Sequence, residues 1–205
     1  MVVVLVIGVV AGVILGGRNG ESAPAAAPEP ANYSIAAIEN ACDLVDPTPL
    51  TRWASTPRPG PVHEQTRASG DFGNLQCSLS CQFTYKSRSG DGVHWNQAAI
   101  DLQVEFTAPG SAPAYDQWKR EDTTGPGVNS GEVTGIGSRG YWCTATAGTG
   151  HTTALDYIVG VQDDNVSLRV RIPTLSQHGE PVPNADDLGM IARNQARLAL
   201  DGLQK

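Results

Sequence analysis

Hydrophobic and polar residues alternate most cleanly over Asn74 to Tyr85, NLQCSLSCQFTY. Leu75, Cys77, Leu79, Cys81, Phe83 and Tyr85 fall on one side; Asn74, Gln76, Ser78, Ser80, Gln82 and Thr84 fall on the other. A period of two is that of a strand with one face on a core and one in water. A second run follows, with Ile100, Leu102, Val104 and Phe106 opposing Asp101, Gln103 and Glu105, until Pro109 and Gly110 stop it. The clearest hairpin has Leu155, Tyr157, Val159 and Val161 leading to Asp163-Asp164-Asn165, and Val166, Leu168, Val170 and Ile172 leading away. Gly131 to Ile136 and Gly140 to Ala147 read as two shorter strands.

Helical spacing marks four other stretches. Tyr33 to Val45 places Ile35, Ile38, Ala41 or Cys42, and Val45 on one side, with Ser34 as N-cap and Pro47 and Pro49 beyond its end. Leu50 to Ser55 fits one further helical turn, before a loop through Pro57, Pro59, Gly60 and Pro61. Ala112 to Asp122 carries Tyr115, Trp118 and Lys119 on one side. The last helix starts at Asn184, with Asp186 and Asp187 in its first turn, where the helix dipole favours them. Its buried stripe is Leu188, Ile191, Ala192, Ala199 and Leu203. The expected fold is α+β: a twisted antiparallel sheet with helices packed mainly on one face.

The N-terminus has a different character. Met1 to Gly17 has no charged side chain, and at 1.5 Å per residue it reaches about 25 Å, the short end of a membrane span. The absence of a basic leader favours a retained anchor over a signal peptide, whose best cleavage point is near Ala25. Gly8, Gly12 and Gly16 form a ridge on which two such helices pack closely, a route to a weak homodimer. Residues 18–32 are rich in Ala and Pro and read as a linker to a domain over 33–205. The expected location is the cell membrane, single-pass, with the C-terminal domain outside. A formal net charge of -7 argues against nucleic acid as a partner.

The cysteines sharpen this picture. Within one strand Cys77 and Cys81 lie about 13 Å apart, beyond the roughly 7 Å that a disulfide spans. They are left to pair with Cys42 and Cys143, in either combination, giving two disulfides in an oxidising compartment.

Little else signals chemistry. Gly135-Ile136-Gly137-Ser138-Arg139-Gly140 is a literal GxGxxG, but a dinucleotide site needs it between a strand and a helix, and here a strand pattern follows. It reads as a turn. His63, His94, His151 and His178 form no ligand pair at helical spacing, so no metal and no other cofactor is expected. No G-x-S-x-G elbow occurs, and no catalytic residue is assigned. Trp142 is out of phase with Cys143, so with Cys143 inward it joins Arg169 and Arg171 on the wetter face, as a possible ligand-facing patch.

Cys42-Asp43-Leu44-Val45, Cys81-Gln82-Phe83 and Val133-Thr134-Gly135-Ile136-Gly137, followed by an amphipathic C-terminal helix, resemble marks of actinobacterial exported or lipoprotein-like domains of unknown function. More distantly, the pattern is similar to the extracellular sensor domain of mycobacterial receptor serine/threonine kinases of the PknH type, without the kinase. The resemblance implies a bridge from Cys42 to Cys81, leaving Cys77 to Cys143. Taken together, the sequence reads as a non-enzymatic, membrane-tethered extracytoplasmic domain that binds a small ligand or an envelope protein. A structural or assembly accessory of the envelope is the alternative, and an exported hydrolase the third reading.

Overall fold

The computed structural model describes residues 33–204 apart from 36–37, 59, 67–76 and 109. The expected anchor at 1–17, with Gly8, Gly12 and Gly16, and the linker at 18–32 lie outside the described residues. So does the start of the first strand, Asn74 to Gln76. Among the described residues no helix is long and apolar enough to cross a membrane.

In chain order the strands are β1 (Thr56–Pro57), β2 (Val62–Thr66), β3 (Cys77–Arg88) and β4 (Trp95–Phe106). Helix α1 (Ala114–Asp122) precedes β5 (Val128–Glu132), β6 (Arg139–Thr149), β7 (Thr152–Asp163) and β8 (Val166–Gln177), and α2 (Ala185–Leu203) comes last. These eight strands form one antiparallel sheet, ordered β1-β3-β4-β8-β7-β6-β5, with β2 beside β1 on the outer edge of β3. The centre is long and regular: β3 and β4 pair from Cys77 opposite Phe106 to Arg88 opposite Trp95. β7 and β8 pair from Thr152 opposite Gln177 to Asp163 opposite Val166.

Register decides which face each residue serves. Leu79, Ile100, Leu102, Val104, Leu168, Val170, Ile172, Val159 and Val161 share one face and are buried. Helix α2 lies across it and buries Leu188, Ala192, Ala196, Ala199 and Leu203. Each fully buried aliphatic side chain contributes about 1.5 to 3 kcal/mol, so this layer is the main source of stability. Asn184 caps α2 by accepting from the Asp186 amide. Gly189 lets the helix approach β7, since a Cβ there would sit 2.6 Å from the Tyr157 hydroxyl.

Helix α1 packs on the opposite face. Tyr115 and Trp118 join Tyr141 and Cys143 in a second, smaller cluster with Val128 and Ile158 at its margin. Among the described residues the helices therefore do not gather mainly on one face; each face carries one. An apolar patch on the outward-facing side of β6 and β7 attracts α1 there, where strand alternation had suggested a wet surface.

The N-terminal segment differs from expectation. Among the described residues of 33–45 no α-helix forms: one 3-10 turn, Ala41–Leu44, stands at the end, capped by Asn40. Long-range bonds hold Tyr33 and Ala41. Tyr33 bridges to Gln204 and donates its hydroxyl to Asp163, 2.6 Å away, and the Ala41 amide donates to the His63 ring. A second 3-10 turn, Thr48–Arg52, overlaps the turn expected over Leu50 to Ser55 but starts two residues earlier and stops before Trp53.

Among the described residues one disulfide is present. Cys42 bonds Cys81, with the α-carbons 5.1 Å apart, stapling the 3-10 turn to β3. The expected second bridge, Cys77 to Cys143, is not formed. β4, β8 and β7 stand between their strands, about 19 Å at the usual spacing, and the two side chains lie on opposite faces. Cys143 is buried in the α1 cluster, where burial pushes its thiol up to about 12.

Candidate functional site

Helix α1 covers only part of its face, and the polar groups around it are closely held. At its start the Tyr115 amide donates to Ser167 Oγ, whose hydroxyl donates to Gln162. At its end stands Asp122, a placement the helix dipole disfavours. Arg169 supplies the reason, donating to both Asp122 oxygens at 3.1 and 3.2 Å. The side chains of this pair are 21% and 10% exposed, so each charge depends on the other for the solvation it has lost. The Arg169 guanidinium also lies 5.0 Å from the centre of the Trp118 ring and donates to Gln103. Tyr141 donates its hydroxyl to Asp122; burial, then that bond, pushes its pKa up.

The sequence placed Trp142, Arg169 and Arg171 in one patch. Arg169 and Arg171 share the α1 face, and Arg171 is bound to Asp156. Trp142 is on the other side of the sheet, stacked on Tyr157 with ring centres 5.9 Å apart. The three do not line one surface. The phase argument for Trp142 rested on Cys143 facing the main core, and Cys143 faces α1 instead. The two arginines are also occupied by carboxylates, which leaves Asp101 and Glu105 on β4 with less compensation. Burial raises the pKa of both carboxyls, against the Gln82 bond and Arg171 for Asp101 and against Arg169 for Glu105.

Two cavities flank α1. One, of about 400 Å³, lies between the helix and Glu105. The other, of about 370 Å³, lies between α1 and the turn from β5 to β6, lined by Tyr115, Asp116, Lys119, Glu132 and residues 133–135 and 137–140. That turn is the GxGxxG stretch. It joins strand to strand, as its alternation implied, and its conformation requires glycine. Gly135 and Gly137 have φ of +76° and +61°, and a Cβ on Gly137 would meet Val161 at 2.6 Å. Ser138 fixes the turn by donating both its amide and its hydroxyl to the Gln162 carbonyl. Across the cavity Arg139 pairs with Asp116 at 3.1 Å and lies 4.7 Å from the Tyr115 ring centre. Lys119 sits 5.9 Å from the same ring.

Sequence reasoning missed this cavity, although it put Tyr115, Trp118 and Lys119 on one side of a helix. The signal was split between that helix and a glycine turn some twenty residues later, and only the sheet brings them together. Among the described residues no three His, Cys, Asp or Glu side chains converge as a metal site. Set against known protein families, curated proteins and solved structures, the chain matches none.

Proposed function

We propose that this chain is a non-catalytic binding domain of the bacterial cell envelope, tethered through Met1–Gly17 with residues 33–205 outside the membrane. Its ligand site is the cavity between α1 and the turn that leads into β6. The observation that carries this reading is the cavity itself: about 370 Å³ of space, within the range of small-molecule sites. It has a sheet for a floor and a helix pinned by the Asp122–Arg169 pair for a wall. Side chains held this way lose little freedom when a ligand arrives, which favours binding. The tether and the location rest on the apolar N-terminal run.

The alternative, an assembly accessory acting through protein contacts, has one observation in its favour. β5 begins at Val128 opposite Ala145, so Thr146 to Thr149 of β6 run on beyond β5 and are exposed. Such an edge accepts an added strand.

Native mass spectrometry of the full chain, extracted from the membrane of its own host, tests the choice. Binding predicts a reproducible extra mass that denaturation releases. A bare chain that co-purifies with a stoichiometric envelope protein would replace this reading with the accessory one.

A further inference from the structure

We infer that the cavity between α1 and the 133–140 turn takes its ligand through an anionic oxygen group, a carboxylate or a phosphate ester, held by the Tyr115 hydroxyl, the Lys119 ammonium and the turn's amides. This rests on the binding reading above and adds the chemistry of the ligand.

Tyr115 is the first support. The residue is 2% exposed, its ring meets Tyr141 edge-on at 5.5 Å, and its amide is bound to Ser167. Its hydroxyl makes no hydrogen bond to any described residue. The hydroxyl oxygen is not among the buried side-chain atoms left without a partner, so it opens to water in the space Tyr115 lines, which is this cavity. The charges that act on the phenol, those of Arg139, Asp116 and Glu132, belong to residues of the same lining. Burial raises the Tyr115 pKa, so the hydroxyl keeps its proton and stays a donor at neutral pH.

Lys119 is the second. Arg139 is balanced by Asp116, whereas no described carboxylate lies within ion-pair distance of Lys119. The turn is the third. Its ends are tied by the Val133 amide to Gly140 and the Ser138 amide to Gln162, while the amides of Thr134, Gly135 and Gly137 donate to no described group. Donors that no described group takes up therefore belong to the lining of one cavity on two sides, where they meet water, and an oxyanion replaces that water at several of them together. Glu132, in the same lining, sets the limit: it repels a second negative charge, so the ligand carries its anionic group at one end only.

The test is an amide NMR titration of the full chain in a non-ionic detergent, with inorganic phosphate and with acetate, at ionic strength held constant by chloride. Saturable shifts at Gly135 and Gly137 are expected, and the tighter of the two anions identifies the oxyacid. Lys119→Gln weakens binding about tenfold and Tyr115→Phe about fivefold, as loss of charge-assisted hydrogen bonds implies; each variant's own spectrum checks its fold. Shifts that chloride reproduces, or affinities that neither variant changes, would overturn the inference. A ligand without an anionic group, found in the cavity after native purification, would overturn it too while leaving the binding reading intact. A chain that retains no ligand and responds to neither anion removes both.

Discussion

The two faces of the sheet share their strands and differ in nearly everything else. Toward α2, β4, β7 and β8 present aliphatic side chains in register, and a nineteen-residue helix seals them. Toward α1, a nine-residue helix buries two aromatic rings against Tyr141 and Cys143, and paired charges and cavities surround it. The first face has its polar needs met by backbone pairing and by a few side chains. On the second, polar groups are held by one another or, like the Tyr115 hydroxyl, by nothing in the described protein. Stability is concentrated on one side of the sheet, which leaves the other side able to carry a site.

The largest test of this contrast removes the staple on the α2 face. A disulfide between residues 39 apart contributes about 4 kcal/mol in the chain-entropy account. The double variant Cys42→Ala, Cys81→Ala should lose most of that in a denaturant midpoint measurement. Cys143→Ala, on the α1 face, should lose about 1 kcal/mol, the value of one small buried group. Equal losses would mean that the α1 cluster contributes far more than its size suggests.

Two glycines give a matched comparison. A Cβ on Gly160 would lie 2.1 Å from the Tyr141 ring, and one on Gly189 would lie 2.6 Å from the Tyr157 hydroxyl. Gly160→Ala should cost about 2 kcal/mol by overpacking, because the ring it displaces also holds Asp122. It should also alter tryptophan fluorescence, as α1 moves Trp118 relative to Arg169. Gly189→Ala should cost about 1 kcal/mol less, since alanine is the better helix former by roughly that amount. A fluorescence change in the second variant alone would break the assignment of α1 as the more easily displaced helix.

What the sequence made legible follows the same division. β7, β8 and α2 were readable because their signals are local: strict alternation on both sides of Asp163-Asp164-Asn165, and a cap with acids behind it at Asn184. Tyr33 to Val45 had helical spacing, but its partners are distant: Gln204, Asp163, His63 and the bond to Cys81. β2 was hidden among prolines, which an edge strand tolerates. For Trp142 and Cys143, alternation gave the correct statement that they point opposite ways and left open which way each points. That depends on where α1 lands, and nothing in the pattern of β6 states it.

The smallest expected effect has the most informative sign. Burial holds the Glu105 carboxyl above the ordinary glutamate range, and the charge of Arg169 offsets this only in part. The folded chain therefore binds this proton more readily than the unfolded chain does. The cost of the charge is present above the folded pKa, shrinks as pH falls through it, and is gone below the unfolded value. Glu105→Gln should thus be slightly more stable than the parent at neutral pH, and indistinguishable from it once both carry an uncharged side chain in acid. Paired unfolding curves at the two pH values measure this. A gain that persists in acid would belong to packing rather than charge, and the α1 face would then resemble the α2 face more closely than its paired arginines imply.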